Sequence, residues 1–471
     1  MPEKTIQKVQ LMKRLQVSEL VRWLNKANRK PLIVWGARQI GKSYLVKDLF
    51  AEEYFPNSHI YIDFRLESKI RDFCMKTVNP AEIMEFISIE KNKKITEDTL
   101  LIFDEIQECP SIITSLKYFC QDFRKQPVIA TGSMVRIKIK RITHKRGSES
   151  KEEFLFPVGK IDQLNMHPMT FDEFLINYNE PLYNKIVEAY RNRRPIDGEG
   201  RGNTYHLLAM EALHKYLMIG SMPEAIQTYI DTESFFESRE ILKNLYDNYL
   251  SDMELYQASP ESIVRTKKIF SNIYSELNKE NKNFKSSLIE EKSKTRDMKT
   301  PIDWLTMAGI VHQSFELKEK VTAPLICPNE SNFRLYLCDT GMFIYQSGIN
   351  ASTFLSKEGR NSLSGIFFEN YIANEMTARG LKLFYWKGKN SAELEFFIEY
   401  NGNAIAVDVK KGRKGLKSLE KYRNLNKKHL AVKISENNYG YDSEQKLLTL
   451  PLYEAFLFFD DAANETLGDF E

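Results

Sequence analysis

Eight consecutive residues, Gly36-Ala37-Arg38-Gln39-Ile40-Gly41-Lys42-Ser43, set two glycines, a lysine and a hydroxyl in the order that a phosphate-binding turn requires. The glycines let backbone N–H groups wrap close to phosphate oxygens, which a Cβ would obstruct. Lys42 would reach the β- and γ-phosphates of a nucleoside triphosphate, and the Ser43 hydroxyl would coordinate Mg²⁺. Tyr44 completes the candidate cofactor-binding set. A second constellation, Leu100-Leu101-Ile102-Phe103-Asp104-Glu105, ends an apolar run in two carboxylates. Asp104 would be the other protein ligand of the metal, and Glu105 would orient or deprotonate the attacking water. A third run ends Ala130-Thr131-Gly132-Ser133, where the hydroxyl of Thr131 or of Ser133 could meet the γ-phosphate or the water. Lys42, Glu105, Thr131 and Ser133 are thus the candidate catalytic groups, and Ser43 and Asp104 the candidate metal ligands.

These groups need a scaffold that delivers them to one point. Leu32-Ile33-Val34-Trp35, directly before the glycine turn, reads as a buried strand, and the residues from Ser43 to about Glu52 read as the helix it feeds. Such a helix N-terminus favours an anion. Further strands are expected at Ile60–Phe64, Thr99–Phe103 and Pro127–Ala130, and helices over residues 10–30 and Asn79–Lys91, the latter with Pro80 in its first turn. Strands alternating with helices predict an α/β fold with a parallel sheet covered on both faces. A glycine turn that only caps a helix is the bland alternative, and the strand in front argues against it.

At 471 residues the chain is too long for one core. The expected division is a core at 1–160, a helical region at 161–258, a winged helix at 259–345 and a mixed α/β region at 346–471. Within the winged-helix stretch, helices are expected near Ile263–Lys279, Lys285–Glu291 and Lys299–Ala308, and strands at Ile310–Leu317 and Arg334–Leu337. In the last region strands are expected at Leu383–Trp386, Glu393–Tyr400 and Ala404–Val409. No apolar run approaches the roughly 18 residues of a membrane span. The start, Met1-Pro2-Glu3-Lys4, has no apolar signal core, and the five cysteines lack paired spacing. Both point to a reducing cytoplasm. A net charge of only +3 means that any nucleic-acid contact must come from local basic patches.

The three N-terminal constellations, in this order, resemble the P-loop ATPases of the AAA+-like superfamily. Closer still is the resemblance to a bacterial and archaeal group with an N-terminal AAA domain and a C-terminal domain of unknown function, DUF4143. The segments that carry it include Phe103-Asp104-Glu105-Ile106-Gln107, His167-Pro168-Met169-Thr170-Phe171-Asp172-Glu173-Phe174, Gly220-Ser221-Met222-Pro223-Glu224-Ala225 and Leu335-Tyr336-Leu337-Cys338-Asp339-Thr340-Gly341. This resemblance implies ATP and Mg²⁺ as cofactors, with an ATPase core, helical lid, winged helix and nuclease-like terminal domain. The group usually has Gly-Arg where this chain has Gly159-Lys160, which keeps a charge but loses a bidentate fork.

The terminal region is similar to the restriction-endonuclease-like, PD-(D/E)xK fold. Glu369, Glu395, Asp408 and Lys410 fall where that fold places acidic groups that hold divalent metal and a lysine that stabilises phosphate charge. Asp408 and Lys410, two apart on a strand, leave the same face. Glu395 stands where aspartate is usual, and its extra methylene would shift a ligand by about 1.5 Å. Either the set cleaves nucleic acid with metal, or it is a remnant that stabilises a binding fold by ion pairs. The substitution favours the remnant.

Two basic features bear on nucleic acid. Between 136 and 146, Arg136, Lys138, Lys140, Arg141, Lys145 and Arg146 alternate with apolar residues, as a hairpin with one charged face would. Lys410, Lys411, Arg413, Lys414 and Lys417 form a second cluster, at 410–417. With the winged helix, these are the candidate DNA contacts. Three functions share the nucleotide site: an ATP-driven switch or motor on DNA, a nucleotide-regulated scaffold for a protein partner, and an ATP-controlled nuclease. Completion of the site by a neighbouring protomer's arginine would make the chain a homo-oligomer.

Overall fold

The structure is a computed structural model. It describes residues 11–132, 157–200, 202–256, 259–389, 391–410, 416–426 and 428–468. The chain forms two compact units, Met1–His167 and Pro168–Glu471.

The first unit is built on five parallel strands in the order β2-β3-β4-β1-β5. They are β1 (Leu32–Trp35), β2 (His59–Asp63), β3 (Leu100–Asp104), β4 (Val128–Thr131) and β5 (Asp162–Asn165). β1, β3 and β4 are buried at every position, as continuous apolar runs must be when helices cover both faces. The core packs Ile33, Ile62, Leu101 and Phe103 against Ile83, Ile112 and Phe119 of the covering helices. Helix Pro80–Glu90 starts as expected, with the Asn79 side chain accepting from the Ala81 N–H and proline in the first turn.

Two expectations change. The helix expected over residues 10–30 is confined to Val17–Leu24, because Asn25 closes it and the following stretch is a polar turn. β5 was not foreseen: Asp162-Gln163-Leu164-Asn165 is polar, and its side chains alternate between half-buried and exposed at the sheet edge. It is held there by β1, with Leu32 opposite Asp162 and Trp35 opposite Asn165.

The second unit begins with helices Phe171–Tyr178, Glu180–Arg191, Thr204–Ile219, Pro223–Thr232 and Phe235–Tyr256. These pack with the remainder of that unit. Asp461 of helix Ala455–Ala463 pairs with Arg191 at 2.8 Å and accepts from the Tyr190 hydroxyl at 3.0 Å. Arg379 holds Asp172, Glu375 and Asp460 at 3.0, 2.6 and 2.6 Å. Ser221 donates to Asp339 through its N–H and its hydroxyl at 2.5 and 2.6 Å, and Asp339 also accepts from the Met342 N–H. At that place Gly220 and Gly341 stack so closely that a Cβ on Gly341 would stand 2.6 Å from the Gly220 Cα.

Helices Pro260–Leu277 and Lys299–Met307 follow, then an antiparallel pair, β6 (Val311–Glu316) and β7 (Phe333–Leu337). The helix expected at Lys285–Glu291 is a single tight turn, Ser286–Leu288, in which the Ser286 hydroxyl donates to the Ser293 carbonyl. β6 also pairs in parallel with β8 (Leu383–Lys387), which pairs with β9 (Glu393–Leu394). The strand expected at Glu393–Tyr400 is thus broken at Glu395, and β10 (Phe396–Tyr400) joins a second sheet. Its order is β10-β11-β12-β14-β13, with β11 at Asn403–Val409, β12 at Ala431–Ser435, β13 at Gly440–Asp442 and β14 at Leu447–Pro451. Among the described residues no helix is long and apolar enough to cross a membrane.

Candidate functional site

β1 lies between β4 and β5, so the chain leaves its carboxyl end at the point where strand order reverses, which is where open α/β sheets bind ligands. The turn 36–43 starts there. Gly36 has φ +154°, and a Cβ on it would lie 2.5 Å from the Met166 carbonyl oxygen, so glycine is required. Gln39 takes left-handed backbone, φ +63°, as the loop curls. Arg14 ties the loop down, donating to the carbonyls of Ile40 at 2.8 Å and of His167 at 3.0 Å. The helix at Tyr44–Ala51 follows, and the Tyr44 hydroxyl donates to the Met12 carbonyl at 3.1 Å.

Lys42 is buried, and its ammonium donates to the carbonyls of Ala37 at 2.6 Å and Gly36 at 3.3 Å. Burial lowers its pKa, and Glu105 and Asp104 only partly oppose this, leaving it at about 8. Asp104, at the carboxyl end of β3, gathers three hydroxyls. Ser43 donates to Oδ2 at 2.5 Å, Tyr61 donates to Oδ2 at 2.6 Å, and Thr131 donates to Oδ1. The Glu105 N–H donates to Oδ1 at 2.8 Å. Glu105 itself sits in left-handed backbone, φ +53°, which turns its carboxylate out of the strand. Burial raises its pKa, while Arg65, paired at 3.0 Å, and Gln107, which donates to Oε2, pull the other way.

The structure therefore brings Lys42, Ser43, Asp104, Glu105 and Thr131 together, while Ser133 lies outside the described residues. Tyr61, Arg65 and Arg14 are members of the constellation that sequence reading missed. Each belongs to a neighbouring element and carries no motif of its own. Ser43 and Asp104 converge as two oxygen donors suited to Mg²⁺, which takes one or two protein ligands and fills its shell with phosphate and water.

In the second unit Lys410 bridges Glu395 and Asp408 at 2.8 Å each. Glu369 is met instead by Lys282, at 2.5 Å, a residue that no motif flagged. Burial is the largest influence on Glu395 and raises its pKa, but Lys410, Asp408 and Lys282 together outweigh it and bring the group down to about 2. Asp408 goes the other way, raised by burial and by the charge of Glu395. Among the described residues no three His, Cys, Asp or Glu side chains are grouped so as to hold a metal ion. Of the basic cluster at 410–417, Lys410 faces this carboxylate pair and 411–415 lie outside the described residues, as does the basic stretch 136–146.

A five-stranded parallel sheet, a glycine-lysine-serine loop at its switch point and an acidic strand end beside it define a P-loop NTPase domain of the AAA type. The family comparisons agree: residues 28–175 match the AAA domain, residues 210–353 a domain of unknown function, DUF8612, and residues 364–453 a domain of unknown function, DUF4143. The chain thus joins an N-terminal AAA domain to a C-terminal DUF4143 domain. Among solved structures, a Walker-type ATPase of Pyrococcus abyssi is similar at 16% identity, over 71% of this chain and 96% of that one, with a TM-score of 0.42. No curated protein matches.

Proposed function

We propose that the chain binds ATP with Mg²⁺ at residues 36–44, hydrolyses it, and uses the cycle as a switch acting on DNA. The observation that carries the hydrolytic reading is the convergence of Ser43, Thr131 and Tyr61 on Asp104, one residue from Glu105 and beside Lys42. Lys42 leaves the loop carbonyls for the phosphate oxygens. Ser43 and Asp104 would hold Mg²⁺, which would supply charge neutralisation for the triphosphate. Glu105 accepts the proton of the attacking water, and Thr131, or Ser133 beyond it, positions the γ-phosphate. Because Arg65 grips Glu105, the base must be released before it can act.

The DNA part of the reading draws on the alternating basic stretch 136–146. It draws also on the order helix, turn, helix and antiparallel pair from Pro260 to Leu337, which is the order of a winged helix. A restriction-endonuclease-like reading of the terminal region is supported by its succession of helix Lys357–Ala378, β8, β10, β11, helix Lys417–Leu425 and β12. A cytoplasmic setting and a homo-oligomer with an arginine supplied in trans belong to the same reading.

ATP turnover measured with and without duplex DNA over a salt series tests this. Lys42→Ala should abolish turnover, and Glu105→Gln should bind ATP yet hydrolyse it at least about 100-fold more slowly. DNA should raise turnover at low salt and lose its effect as salt rises. Unchanged turnover in Lys42→Ala removes the site assignment, and no DNA effect at any salt leaves a protein partner as the target.

A further inference from the structure

Four carboxylates meet in the second unit: Glu369 on helix Lys357–Ala378, Glu393 on β9, Glu395 at the break before β10, and Asp408 on β11. Glu369, Glu395 and Asp408 are 6%, 4% and 2% exposed, too buried to be neutralised by water and salt. Their countercharges are side chains of the chain itself. Lys410 takes Glu395 and Asp408, and Arg334, fully buried over the Tyr385 ring, takes Glu393 at 2.8 Å. Lys282 enters from the segment after helix Pro260–Leu277 and stands 2.5 Å from Glu369 and 3.5 Å from Glu393.

That segment is fastened on both sides of Lys282. Asn281 accepts from Lys387 at 2.8 Å, Asn283 donates to Glu316 at 3.2 Å, and the Phe284 N–H donates to the Phe333 carbonyl at 2.9 Å. The ammonium is therefore presented by design of the loop and is not a wandering surface lysine. One oxygen of Glu369, Oε2, remains buried without a hydrogen-bond partner among the described residues, so the cluster has coordinating capacity that Lys282 does not use.

We propose that Lys282 is a built-in cation that occupies the carboxylate cluster in place of a divalent metal, and that removing it opens a divalent-cation site centred on Glu369. The residues present do not fit a resident metal: an ion would have to displace an ammonium held at 2.5 Å between two carboxylates. The inference rests on the nuclease-like reading of the terminal domain only for the expectation of a metal, and assigns that domain a non-cleaving ground state. Because Lys282 belongs to a different stretch from the carboxylates it neutralises, the plug is a tertiary contact, made only once the two stretches pack.

The test counts bound Mn²⁺ by electron paramagnetic resonance on the full-length, nucleotide-free chain. Native protein and Glu369→Gln should bind Mn²⁺ equally. Lys282→Met should gain one site, tightened about 100-fold or more over the native chain, as expected when a competing ligand is lost. Lys282→Met with Glu369→Gln should lose that site again, and Lys282→Arg should behave as native. A native Mn²⁺ site that Glu369→Gln removes overturns the proposal while strengthening the nuclease reading. A folded Lys282→Met that gains no site overturns it and removes the nuclease-like metal geometry as well. If Lys282→Met does not fold, the comparison of native protein with Glu369→Gln decides. Turnover of ATP by the native chain reports on the first unit separately.

Discussion

Raising the pH from 7 to 9 should weaken ATP binding about tenfold through one side chain, Lys42. In the free protein its pKa stands at about 8, because burial costs the ammonium more than Glu105 and Asp104 return. Bound triphosphate surrounds the same ammonium with anionic oxygens and holds it charged well above that pH. The free-state pKa is therefore lower than the bound-state value, so binding takes up a proton once the pH passes 8. Affinity is full below that point and falls as pH rises. With a pKa of about 8, roughly nine tenths of the free protein carries the charge at pH 7 and one tenth at pH 9. The ratio is about tenfold, or ~1.4 kcal/mol. Magnesium-free calorimetric titrations at constant ionic strength, in two buffers of different ionisation enthalpy, would give both the Kd and a proton uptake near one per nucleotide at pH 9. Lys42→Arg keeps its charge throughout, so its series isolates any titration of the γ-phosphate. A native Kd that stays flat from pH 7 to 9, or a slope that survives in Lys42→Arg, would refute the reasoning.

Arg65→Ala removes the cation that restrains the Glu105 pKa, so burial pushes that carboxyl higher still and the acidic limb of the turnover profile should move to higher pH. An unmoved limb would mean that Glu105 is not the group titrating in turnover. Gly341→Ala drives a methyl into the Gly220 backbone at 2.6 Å and should cost about 1–3 kcal/mol, read as a lower Tm of the second unit with the ATP affinity of the first unchanged.

The nucleotide loop was legible because its chemistry is consecutive: eight residues hold every element of the cradle and the strand before them is uniformly apolar. Asp104 and Glu105 were legible for the same reason, as a sharp end to an apolar run. What surrounds them was not. Tyr61 reaches Asp104 because β2 lies beside β3, with Asp63 opposite Asp104, and strand adjacency is not written in a local pattern. Arg14 looks like a surface charge until the fold closes over it, and Arg65 remains on the surface, placed by the turn after β2 beside Glu105. β5 escaped notice because an edge strand needs only one partner and little apolar surface. In the terminal region the spacing of Asp408 and Lys410 foretold a shared face, but Lys282 is about 90 residues from the glutamate it neutralises, and only packing joins them.

The knot at Gly220, Ser221, Asp339 and Gly341 bears on how the chain can be divided. Two stretches more than a hundred residues apart share a buried carboxylate and a backbone contact with no room for a methyl group. A fragment beginning between them would strand Asp339 in an apolar interior without its serine. The helices from Phe171 to Tyr256 therefore cannot be borrowed, swapped or lost independently of the residues that follow them. The second unit must therefore fold as one piece, and the boundary between compact units falls at His167 and Pro168.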